Sequence, residues 1–178
     1  VTKPYALLLR AVNVGGARKL PMARWRDALA AAGLEDPRTY LNSGNAVVRS
    51  ALSAPRLAAA VRSDLGEHLG IETDVIVRTA AQLAAVIAAN PFPAALASEP
   101  RNLHVVFYAD RIPAAAITAL RHDAYAPDRI SPDGAHAYIW YANGAGRSKI
   151  GSKGLPGFGI GTARNWNTVL ALADMLGK

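Results

Sequence analysis

The sequence predicts an α+β protein made of two βαββαβ subdomains packed together. Three observations carry this expectation. Short apolar runs alternate with stretches whose apolar residues recur every three or four positions. The order βαββαβ is complete within about 80 residues, and the second half repeats it more loosely. Tyr5 to Arg10 (YALLLR) is a buried-strand run followed by a turn-rich stretch with Gly15 and Gly16. Pro21 suits the first position of a helix, Met22, Trp25, Leu29 and Ala32 recur at helical spacing, and Gly33 suits the stop. Arg38 to Asn42 and Asn45 to Ser50 read as two strands around Ser43-Gly44, a hairpin-type turn. Leu57, Val61, Leu65 and Leu69 stripe a second helix, and Thr73 to Arg78 (TDVIVR) forms the fourth strand. This is the ferredoxin-like, αβ-plait order.

In the second half, an Ala-rich helix around Leu83, Val86 and Ile87 stops before Asn90-Pro91, because the residue before proline resists helix. A strand at Leu103 to Tyr108 (LHVVFY) precedes a helix from about Pro113 with Ile117 and Leu120 facing inward. Strands near Arg129 to Ser131 and at Ala137 to Tyr141 are divided by Pro132-Asp133-Gly134. A glycine-rich tract then leads to a terminal helix carrying Trp166, Val169, Leu170, Ala173 and Leu176. The expected organisation is a subdomain over 1–79, a helical connector over 80–100 and a second plait with its terminal helix over 101–178. YALLL and HVVFY are apolar on both faces, which requires cover on both sides of each sheet. Neither run offers the exposed aromatic platform with which an RNA-recognition sheet stacks bases.

Composition bounds the chemistry. With 51% hydrophobic and 19% charged residues in 178, the chain has material for a core, and its composition argues against disorder. The absence of cysteine removes disulfides, thiolate metal sites and a cysteine nucleophile. No apolar run approaches the roughly 18 residues of a membrane helix, and VTKPYALLLR lacks a secretory layout. The expectation is a cytoplasmic protein with no membrane partner.

The formal charge of +7 is concentrated. Val1 to Arg26 carries Lys3, Arg10, Arg18, Lys19, Arg24 and Arg26 with no acid, and Gly134 to Ala173 carries Arg147, Lys149, Lys153 and Arg164, again with none. Such local positive fields attract phosphates and carboxylates. Three segments could use them. In the first, Asn13, Gly15, Gly16, Arg18 and Lys19 lie between a strand end and a helix start, where glycine amides and cations can cradle an oxyanion. In the second, Ser43, Gly44 and Asn45 make the turn, with Asn45 able to orient a ligand. The third offers Arg147, Ser148 and Lys149, then Arg164, Asn165, Trp166 and Asn167 as the opening of the last helix. For each there is a plain alternative of turns, caps and core packing, with Asn165 as a cap and Trp166 as a core residue. Walker and dinucleotide glycine spacings are absent. His68, His104, His122 and His136 form no metal-ligand pair, so no metal is expected. No nucleophile elbow accompanies the serines.

The stretches RAVNVGG at Arg10 to Gly16, YLNSGN at Tyr40 to Asn45 and ARNWNT at Ala163 to Thr168 resemble the hallmark segments of the bacterial family of domain of unknown function 1697. The likeness spans nearly the whole chain. It implies two αβ-plait subdomains in a cytoplasmic protein and no particular activity. The chain departs from the family pattern at Ala163, where a hydroxyl residue is usual, and in GSKGLPGFGIG, where relatives often carry a short helix.

The preferred expectation is one basic pocket. Arg10, Arg18, Lys19, Arg147, Lys149 and Arg164 would neutralise a phosphate-bearing ligand, while Asn13, Asn45, Asn165 and Asn167 direct it. The ligand would be a nucleotide, a phosphometabolite or nucleic acid, with no cofactor. The rivals are an enzyme using Ser148 with Lys149 or Lys19, and a structural or interaction module without ligand. Asp and Glu are missing from all three segments, so a general base must come from elsewhere.

Overall fold

Residues 1–16, 18–94, 99–151 and 153–177 are described by a computed structural model. Ala17 of the first loop, residues 95–98 of the connector, Ser152 of the glycine-rich tract and Lys178 lie outside the described residues. The chain forms two compact units, Val1–Ala85 with Ala171–Lys178, and Val86–Leu170.

The first unit runs β1 (Lys3–Leu9), α1 (Met22–Ala31), β2 (Glu35–Tyr40), β3 (Asn45–Ser50), α2 (Ala54–Leu69), β4 (Val75–Thr79) and into α3 (Ala80–Ala88). Its antiparallel sheet has the order β2-β3-β1-β4. Central β1 pairs Leu7 with Ala46 on one side and with Val77 on the other. The helical stripes fall where the spacing requires: Trp25 and Leu29 of α1, and Leu57, Val61 and Leu65 of α2, join Leu7 and Leu9 in one core. Ala6 and Leu8, pointing to the opposite face, are also fully buried, so the uniformly apolar β1 has both faces out of water.

Three strands of the first unit differ in extent from the sequence expectation, β1 by spanning Lys3–Leu9 rather than Tyr5 to Arg10. Strand β2 begins at Glu35 and ends at Tyr40, because Leu41 turns to a positive φ of 55°. As an edge strand it tolerates Pro37 and an irregularity between Glu35 and Arg38. Strand β4 begins at Val75 rather than Thr73, whose hydroxyl instead donates to the Arg10 carbonyl.

The second unit contains β5 (Leu103–Tyr108), the short helices α4 (Ala114–Thr118) and α5 (His122–Tyr125), β6 (Arg129–Asp133), β7 (His136–Trp140), β8 (Gly161–Asn165) and the start of α6 (Trp166–Leu176). The sheet order β6-β7-β5-β8 repeats that of the first unit, strand for strand. Both units are ferredoxin-like.

Three expectations are corrected here. Ile117 does not face inward: α4 is too short to present a full stripe, and the side chain is 38% exposed, while Leu120 packs on the core. Pro132 and Asp133 do not break the sheet, since β6 is an edge strand that can spare the proline N–H. Arg164 does not open the last helix; with Asn165 it ends β8, which pairs Val105 with Arg164 and Phe107 with Thr162, and only Asn165 serves the helix, as its cap. Among the described residues, the tract over 141–160 stands where a plait would carry its second helix. Its Ile150, Leu155 and Phe158 fill the core in place of a helical stripe. No described helix is long and apolar enough to cross a membrane.

Candidate functional site

The segment after β1 is held by its own side chains. The Arg10 N–H donates to the Asp74 carbonyl at 3.1 Å, and the Arg10 guanidinium lies 3.7 Å from the Asp74 carboxylate. Beyond it, Ala11, Asn13 and Arg18 adopt positive φ of 52°, 55° and 50°. Left-handed backbone costs a non-glycine residue about 1–2 kcal/mol, and such outliers gather at functional loops. Asn13 clamps the loop shut. Its amide donates to the Leu20 carbonyl at 2.9 Å and the Asn42 carbonyl at 2.7 Å, and its oxygen accepts the Leu20 N–H at 2.8 Å. Three of the four hydrogen-bonding capacities of the Asn13 side chain thus bind the first motif to itself and to the second.

The second motif is equally structural. Gly44 has φ of 79°, and a Cβ there would lie 2.6 Å from Val12 Cγ2 and 2.7 Å from Leu9 Cβ. Its carbonyl accepts the Leu9 N–H at 2.8 Å. Asn45 is fully buried and donates to the Tyr40 carbonyl at 3.0 Å and to Ser43 Oγ at 2.9 Å. The turn is a plug seated on the end of β1, and Asn13 fastens the loop to it.

Beside this assembly the first unit has a groove of about 750 Å³. Arg10 and Arg18 line it, as the sequence suggests. Arg62 of α2 joins them, and Glu67, Glu72 and Asp74 line the same groove. The Ser63 hydroxyl, also on the groove, donates to the Glu67 carboxylate. Carboxylates absent from the three basic segments are therefore supplied by α2 and the turn after it. Lys19 is exposed and does not line the groove, while Gly15 and Gly16 stand exposed on the loop. Arg62, Ser63 and Glu67 were missed by motif reading, yet a signal exists. Ala59, Arg62, Ser63 and Gly66 recur at helical spacing on α2, beside the buried stripe of Leu57, Val61 and Leu65.

The third motif lies in the second unit. Arg147 borders a separate shallow hollow of about 510 Å³ with Arg101, Asn102 and Asn143, where the Asn102 amide donates to Glu99 at 2.7 Å. Ser148 Oγ accepts the Ile150 N–H at 3.1 Å, and Lys149 is exposed. Arg164 is only 6% exposed and donates to Thr162 Oγ1 at 2.7 Å and the Ala163 carbonyl at 2.8 Å. Burial pushes its guanidinium down to about 10. Asn165 accepts the Thr168 N–H at 2.9 Å and so caps α6, Trp166 is a buried residue of that helix, and Asn167 is exposed.

The histidines are dispersed. His68 pairs with Asp64 at 3.0 Å, His136 meets the Tyr138 hydroxyl at 3.2 Å, and His104 packs edge-on against Tyr141. Burial holds the His104 imidazole below its usual pKa, a backbone hydrogen bond at Asn102 opposing. Among the described residues no group of three or more His, Cys, Asp or Glu is arranged to hold a metal ion.

The chain is similar in fold to the conserved bacterial protein SP0830 from Streptococcus pneumoniae, with a TM-score of 0.76 and 22% identity over 100% of both chains. A comparison with curated proteins finds no match. The profile of the family described as a protein of unknown function (DUF1697) matches residues 2–138. That match takes in β1, the clamped loop, the Ser43-Gly44 turn and the whole groove, and by it the chain belongs to the DUF1697 family.

Proposed function

We propose that this protein binds a compact phosphate-bearing ligand, a nucleotide or phosphorylated metabolite, in the groove of its first unit. The observation that carries the reading is that three arginines, Arg10, Arg18 and Arg62, line one cavity of about 750 Å³. Guanidinium is the planar, always-charged donor that matches phosphate oxygens two at a time. The volume suits a small molecule. The left-handed residues of the adjoining loop, fastened by Asn13, support the same reading. Extended nucleic acid fits less well, because Glu67, Glu72 and Asp74 would repel a continuing phosphate chain.

Group transfer is a second reading, favoured by one observation. Ser63 bonded to Glu67 places a hydroxyl and a base together in the groove, the pairing that nucleophilic catalysis needs. In that reading Ser63 replaces Ser148 as the reacting hydroxyl.

Thermal-shift titration tests the binding reading. Orthophosphate and a nucleoside monophosphate should raise the melting temperature, by an amount corresponding to about 2.7 kcal/mol when the ligand reaches 100 times its Kd. Arg18→Ala and Arg62→Ala, both at exposed positions, should each weaken binding about 10- to 100-fold, the loss of one charged hydrogen bond. A flat response, or oligonucleotide binding that is tighter than either small ligand and falls steeply with salt, would overturn it.

A further inference from the structure

We infer that the ligand is bipolar: a phosphate monoester whose other end carries hydrogen-bond donors, hydroxyl or ammonium, received by the carboxylates of the groove. The inference rests on the binding reading above and adds the chemistry of the part of the ligand that is not phosphate. Arg10 lies 3.7 Å from Asp74, which offsets part of its charge. Arg18 and Arg62 also line the groove and are available to an incoming anion, and Glu67 and Glu72 line the same groove. Glu67 accepts the Ser63 hydroxyl. Glu72 is exposed and makes no ion pair or side-chain hydrogen bond among the described residues.

An ionised carboxylate only accepts hydrogen bonds. Beside a bound phosphate it repels further negative charge and attracts either a neutral donor or a cation. A groove of about 750 Å³ is also far larger than one phosphate needs, so a ligand that fills it must place something against the acidic groups. Hydroxyls and ammonium groups satisfy that requirement, and a second phosphate violates it.

Calorimetric titration at fixed ionic strength with orthophosphate, pyrophosphate, ribose 5-phosphate and phosphoethanolamine tests this. At least one of the two bipolar esters should bind about tenfold or more tightly than orthophosphate, and pyrophosphate should not gain over orthophosphate. The ester that gains identifies the donor: ribose 5-phosphate for hydroxyls, phosphoethanolamine for ammonium. Glu72→Gln should remove most of that gain while orthophosphate binds as tightly as before or tighter, because a repelling charge is gone, a pattern that general damage to the fold would not produce. If orthophosphate binds but neither ester exceeds it, or pyrophosphate binds tightest, bipolarity is wrong and the anion site stands. If none of the four binds, both readings fall.

Discussion

Gly44→Ala should destabilise the protein by about 2–5 kcal/mol, the sum of forcing a side chain into left-handed backbone and overfilling a packed site. The added methyl would sit 2.7 Å from Leu9 Cβ, an atom fixed to the backbone of β1, and 2.6 Å from Val12 Cγ2. Leu9 Cβ cannot yield without moving the strand end, and the buried Val12 side chain would have to repack. The Leu9 N–H bond to the Gly44 carbonyl would be strained with it. Gly33→Ala is the informative control, because Gly33 has the same φ of 79° but nothing within 4 Å of the new Cβ. It should cost only about 1–2 kcal/mol, the conformational part alone. Urea unfolding of the two variants separates the causes. Equal losses would mean that the turn is not wedged on β1.

The other large effect falls on Trp25. It is fully buried in the core of the first unit, packed with α2 and the sheet, and Trp25→Ala should cost about 3–5 kcal/mol. The indole N–H is buried with no hydrogen-bond partner. Trp25→Phe keeps most of the ring volume and removes that unsatisfied donor, so its loss should be much smaller, within about 1.5 kcal/mol. A phenylalanine variant as unstable as the alanine one would show that the indole is held by more than packing.

Both residues belong to patterns that were visible in the sequence. Trp25 and Leu29 sit four apart, and Leu57, Val61 and Leu65 repeat the spacing, so α1, α2 and their buried faces followed from periodicity alone. Strand β5 was legible end to end because LHVVFY is β-branched and aromatic. Strand β8 was not. Its inward residues are Thr162 and Arg164, polar groups buried with hydrogen bonds, and its first residue is a glycine under the Tyr108 ring. GTARN therefore has neither the apolar alternation nor the bulk of a strand. Burial of a guanidinium is a tertiary fact that no local pattern announces.

The same division holds at the groove. Arg10 and Arg18 could be picked out because they flank a turn-rich loop with no acid nearby in sequence. Their carboxylate neighbours could not, since these depend on strand pairing: the register of Leu9 with Val75 brings Asp74 beside Arg10. Arg62 and Glu67 required knowing which side of α2 lies along the loop. The turn at Ser43-Gly44 is legible in the sequence, where Ser43, Gly44 and Asn45 are also ligand candidates, but its fit against Leu9 and Val12 appears only in three dimensions.

Amide chemical-shift mapping during titration with orthophosphate tests the anion groove most directly. Saturable shifts should gather at Arg10, Arg18, Arg62, Ser63, Thr73 and Asp74, with Asn143, Gly144 and Gly146 of the shallow hollow in the second unit unmoved. Shifts confined to that hollow, or none at all at saturating phosphate, would contradict the assignment of the site to Arg10, Arg18 and Arg62.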